Sequence, residues 1–149
     1  MQGQARVRAE DDLEIVRAEA AERAKRALHK SASLRPFAIT LTTDNALLSH
    51  ELATDIVEGP ATAFEILAQG MRVGAGPPTT PRAVAVVRAV VVRSFVGEGS
   101  TDAVCIALEH SEGTARRCFL PYVRRGKRLS WGEPRVVPGV PWFFEAQAR

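Results

Sequence analysis

At 149 residues, with 46% hydrophobic and 25% charged positions, the chain has the balance of one soluble globular domain and not of a disordered or fibrous one. A formal charge of +3 admits an anionic partner without demanding it. Two cysteines, Cys105 and Cys118, are too few for a disulfide framework, and no CxxC pair marks a zinc site.

The opening MQGQARVRAEDDLEIV has no apolar core of the signal-peptide kind, and residues 1–9 read as a flexible lead-in. Residues 10–31 read as a helix, because Leu13, Val16, Ala20, Ala24 and Leu28 recur at steps of three and four. Glu10, Asp11, Asp12 and Glu14 open that stretch and Arg23, Lys25, Arg26 and Lys30 close it, as the helix dipole favours. After Pro36, FAITLTT alternates like a half-buried strand, and Thr43-Asp44-Asn45 signals a turn. Residues 46–52 return as a short second strand. Gly59-Pro60 then starts a second amphipathic helix over 60–72, with Ala63, Phe64, Leu67 and Met71 on one face.

VGAGPPTTP, 73–81, is a loop, with three prolines and two glycines in nine residues. Three strands follow, over 82–95, 102–110 and 115–123, the last two joined by Ser111-Glu112-Gly113-Thr114. A final extended piece covers 128–137, and 138–149 is an irregular apolar tail containing Trp142, Phe143 and Phe144. The longest apolar run, AVAVVRAVVVR, contains Arg88 and Arg93 and is too short to cross a bilayer. No membrane contact and a cytoplasmic location are expected.

Both alternating sets of 82–95 are apolar, so this strand is expected to be covered on both faces. The expected fold class is α+β: a single domain over 1–149 with an antiparallel sheet of about five strands and two helices packed on it. The order helix, strand, strand, helix, three strands is that of profilin-like and roadblock domains, an analogy of order alone. The valine-rich strand, TDAVCIALEHSEG, CFLPYVRRG and WGEP, over residues 82–134, resemble a group of small uncharacterised bacterial proteins. That resemblance implies no activity, cofactor or catalytic residue.

Candidate chemistry is sparse. A thiol nucleophile needs a base within hydrogen-bond reach. With a two-residue turn at Glu112-Gly113, Cys105 and Cys118 share a face while His110 points to the other. The same register sets Glu109 opposite Arg116 as a cross-strand charge pair. His29, His50 and His110 are spread along the chain, and the His50-Glu51 and Glu109-His110 neighbours point to opposite faces of a strand. GAGPP and GEGS lack the strand-to-helix setting of a phosphate loop. Neither a metal nor a cofactor is expected, and no catalytic residue is assigned.

Charge is the clearest signal. Between 116 and 135 stand seven cations, Arg116, Arg117, Arg124, Arg125, Lys127, Arg128 and Arg135, against one anion, Glu133. Tyr122 and Trp131 flank the Gly126 turn, so this hairpin is the candidate for binding a nucleic acid. A solvated, edge-protecting turn explains the same composition. Trp142, Phe143 and Phe144 are the candidate interface, docking within the chain or on a second copy. The expectation is a non-enzymatic interaction or assembly module acting as a homodimer or with another protein, with nucleic-acid binding by 116–135 as the alternative.

Overall fold

A computed structural model of the chain describes residues 2–51, 80–93, 99–141 and 143–144. It contains α1 (Gln2–Lys30), β1 (Phe37–Thr42), β2 (Leu47–Glu51), β3 (Pro81–Arg93), β4 (Ser100–His110), β5 (Ala115–Arg125), β6 (Arg128–Trp131) and β7 (Arg135–Pro138). The strands make one antiparallel sheet in the order β2-β1-β3-β4-β5-β6, and β7 also pairs with β5.

The expectation of an α+β domain with about five strands and two helices is corrected. Among the described residues the protein is mainly β, with one helix on a large, curled sheet of seven strands. The profilin-like and roadblock analogy depended on the two-helix order and goes with it. The helix expected over 60–72 and most of the loop expected over 73–81 lie outside the described residues.

The helix begins at Gln2, eight positions before the acidic cluster, so no acidic residue stands in its first turn. Glu10, Asp12 and Glu14 are instead mid-helix and pair with other side chains. Ala9, Leu13, Val16, Ala20, Ala24 and Leu28 are buried along one stripe. They pack on Ala83, Ala85 and Val87 of β3 and on Val104 and Ile106 of β4. Alanine on both sides of the contact lets the helix axis lie close to the strands. Full burial of each larger side chain there contributes about 1.5–3 kcal/mol.

The opposite face of the sheet is covered differently. Ala38 of β1 and Val84 and Val86 of β3 are fully buried under Phe143, with Phe144 packed beside it. The first half of β3 is therefore enclosed on both faces, whereas its end, from Arg88 to Arg93, alternates between half-buried and exposed.

The β4–β5 connection sets a register that differs from the one expected. His110 and Thr114 close a three-residue loop, in which the Gly113 amide donates to the His110 carbonyl at 2.9 Å and Gly113 has φ of 104°. A turn ended by a positive-φ glycine adds one residue compared with a two-residue turn. Cys105 now pairs with Phe119 and Ile106 with Cys118. Because side chains alternate with period two, this single step places the two cysteines on opposite faces. It also sets Glu109 opposite Ala115 and not Arg116.

β6 and β7 lie in tandem along one edge of β5, on Tyr122–Arg125 and on Arg116–Phe119 respectively. The break between them falls beside Pro121, which has no N–H to offer a neighbouring strand. Only its carbonyl is used, accepting from the Gly132 amide at 2.8 Å. The extended piece expected over 128–137 is thus two strands.

Candidate functional site

The antiparallel register brings one end of every long element together. The end of β3, the starts of β4 and β6, the end of β5 and the C-terminus of α1 lie at that end, and the start of β1 with the end of β2 faces the same way but stops at the level of Val87. The last turns of α1 contribute Arg23, Lys25, Arg26 and Lys30, the connection to β1 contributes Arg35, and β3 ends in Arg93. The β5–β6 hairpin adds Arg124, Arg125, Lys127 and Arg128.

Arg124 links the helix to the hairpin. Its Nη2 donates to the Leu28 carbonyl and, at 3.2 Å, to the Ser31 carbonyl. These are C-terminal carbonyls that the helix itself cannot satisfy. Arg124 is therefore a helix cap, half-buried and spent, whereas Arg125, Lys127 and Arg128 are exposed around the Gly126 turn. Tyr122 is buried, and its ring lies 5.2 Å from that of Trp131. Lys25 Nζ sits 5.3 Å from the centre of the Trp131 ring. Tyr122 thus closes the core beneath the helix, and Trp131, half-buried, packs against it under Lys25. Arg116 pairs with Glu10, one of its nitrogens 2.6 Å from a carboxylate oxygen, at the far end of the sheet. Arg117 is exposed on the face away from the helix.

Beside the Arg124 cap lies a cleft of about 740 Å³. Arg23, Arg26 and Lys30 line it from successive turns of α1, and Ser31, Ser33 and Arg35 from the connection. Leu34, Pro36 and Phe37 supply an apolar portion, and Glu51, the register partner of Phe37, stands on the sheet side. Arg23 bonds to Glu19 at 2.7 Å in a partly buried pair, and Arg26 lies 4.0 Å from Glu22 in an exposed pair, which is weak and exchanges readily with a ligand.

A second cluster of titratable groups is structural. Asp12 Oδ2 lies 2.8 Å from His110 Nε2, while Arg82 reaches both carboxylate oxygens at 3.1 and 3.2 Å and the Thr42 carbonyl at 2.7 Å. His110 Nδ1 accepts from the Glu112 amide at 3.0 Å, so the ring is the Nε2–H tautomer and offers no lone pair to a substrate. Burial alone would raise the Asp12 pKa, but the bonds from Arg82 and His110 outweigh it and hold the carboxyl below its ordinary value. Sequence reasoning missed this trio, since nothing near Asp12 or Arg82 marks a partner 70 or more positions away.

The other candidates are scattered. His50 bonds to Thr40 Oγ1 at 3.0 Å, and His29 is exposed in the last turn of α1. Burial pushes both the Cys105 and the Cys118 thiols above their ordinary range. Among the described residues, no group of three or more His, Cys, Asp or Glu is arranged to hold a metal ion, and no helix is long and apolar enough to cross a membrane. Phe143 is buried within its own chain, and its amide and that of Phe144 donate to Glu109 at 2.7 and 3.0 Å. Trp142 lies outside the described residues. No protein-family model, no curated protein and no solved structure matches this chain.

Proposed function

We propose that the protein is a non-enzymatic interaction module whose partner is a nucleic acid, held by its phosphates at the basic end of the sheet. One observation carries this reading: Arg124 clasps the end of α1 and so sets the base of the basic hairpin beside the cations of the cleft, Arg23, Arg26, Lys30 and Arg35, while Arg125 and Arg128, register partners, stand on the sheet face away from the helix. The exposed carboxylates Glu10 and Glu112 belong to the opposite end, while Glu19, Glu22, Glu51 and Asp102 stand among the cations and offset part of their charge. Such a charge distribution orients the molecule toward a polyanion. Of the aromatics that the hairpin was expected to offer to bases, Tyr122 is buried and Trp131 is half-buried beneath Lys25, so phosphates rather than stacked bases are what Arg125, Lys127 and Arg128 recognise.

The homodimer expectation drew on the two-sided sheet and on the aromatic tail; of that tail, Phe143 is buried within its own chain.

The test is the anisotropy of a labelled DNA duplex against protein and salt. Changing Arg125, Lys127 and Arg128 together to Gln is expected to weaken binding at least about tenfold at low salt. It should also flatten the logarithmic salt slope by nearly one per lost phosphate contact. Duplex binding untouched by this triple change overturns the reading, and so does absence of binding to duplex and single strand alike at about 50 mM salt.

A further inference from the structure

The cleft beside the helix end has a composition that phosphate contact alone does not explain. Cations line its helix side, at Arg26 and Lys30, while Leu34, Pro36 and Phe37 form an apolar surface within the same cavity. A convex duplex, with its bases stacked inside, presents only backbone and leaves an apolar recess of this kind empty. An unpaired nucleotide has both properties at once, a charged phosphate and a flat, largely apolar base.

Resting on the nucleic-acid reading above, we propose that this cleft takes one unpaired nucleotide of a single strand. The base lies against Leu34, Pro36 and Phe37, and the phosphate is held by Arg26, Lys30 and Arg35. The volume of about 740 Å³ falls in the range of small-molecule sites and accommodates a nucleotide. Glu51 fixes the orientation. Its carboxylate stands next to Phe37 on the sheet side, so it repels the phosphate toward α1 and leaves the base on the sheet. The neighbouring phosphates of the strand then continue past Ser31, whose carbonyl is clasped by Arg124, to the exposed cations of the hairpin. The site thus distinguishes single strands from duplexes through a recess, without an exposed aromatic.

The experiment compares a labelled single strand of about twelve nucleotides with the duplex of the same length, by anisotropy at low salt. The expected result is binding of the single strand about tenfold tighter, one base contact being worth roughly that factor. Arg26→Gln with Lys30→Gln removes two cations that also face a duplex, so it should weaken both forms, the single strand by a factor at least about threefold larger than the duplex. Leu34→Asn, which alters no charge, should reduce the single-strand preference in the same direction, while circular dichroism verifies the fold. Equal affinity for the two forms overturns the cleft proposal and leaves the nucleic-acid reading standing. The same holds if the cleft changes weaken both forms alike, or if Leu34→Asn alters neither. Absence of binding to either form overturns both.

Discussion

Asp12 and His110 meet at 2.8 Å across 98 positions of sequence, with both side chains nearly fully buried. The contact ties the middle of α1 to the end of β4, and Arg82 extends it to β3 and to the Thr42 carbonyl. Removing one member of such a group leaves the others buried and uncompensated.

Asp12→Asn is therefore expected to cost about 2–4 kcal/mol near neutral pH, toward the low end because Arg82 keeps some contact with water. The folded-state pKa of Asp12 lies below the ordinary value of 3.8. Its contribution is thus complete above that value and lost as the pH falls through the folded-state pKa. Urea denaturation from pH 7 down to pH 2 checks this: the gap between unaltered protein and variant should close only in acid. A gap independent of pH refutes the assignment.

Arg124→Ala should lower stability by about 1–2 kcal/mol, because two carbonyls at the end of α1 lose a charged donor. Arg125→Ala, one residue along and exposed, should stay within about 0.5 kcal/mol of the unaltered protein. Chemical denaturation of the two variants side by side separates a cap from a mere surface charge.

Phe143 and Glu109 act on the same segment, one through its ring and the other through two backbone amides. Phe143→Ala should cost about 2–4 kcal/mol and Glu109→Ala about 1–3 kcal/mol. The double change should cost at least about 0.5 kcal/mol less than the sum, since losing either contact releases the other. Strict additivity in the denaturation midpoints would show that the segment is not held as one unit.

The thiols give a fourth expectation. Cys105 and Cys118 are both buried and on opposite faces, and burial keeps each thiol protonated at neutral pH. Reaction with an aromatic disulfide reagent should be on the order of 100-fold slower in the folded protein than in denaturant, and oxidation should give no intrachain disulfide. Thiol titration with and without urea measures the first, and mass spectrometry the second.

Much of the sheet was legible because its strands are marked locally. FAITLTT alternates, the valines of β3 are β-branched, and Gly113 and Gly126 punctuate the two hairpins. What escaped was whatever depends on one residue of register or on distant partners. A glycine signals a turn but not whether its loop has two residues or three, so the faces of Cys105 and Cys118 and the partner of Glu109 came out wrong. Pro121 split the last extended piece by an absent donor, whose effect appears only once β5 has a neighbour on that side. In the candidate site, the exposure of Arg125, Lys127 and Arg128 follows from the turn itself. The diversion of Arg124 to the helix end, the burial of Tyr122 and the half-burial of Trp131 required knowing that α1 ends beside the hairpin. The cations of α1 looked like partners of the helix dipole, and their place in a cleft depended on Leu34, Phe37 and Glu51 arriving from elsewhere.

The gathering of positive charge at one end of the sheet also bears on timing. A molecule charged in this way is turned by the field of a polyanion before the two surfaces touch, so a large share of encounters begin in a productive orientation. On the nucleic-acid reading, salt should act twice, slowing association by screening and shortening the lifetime of the complex as counterions return to the phosphates.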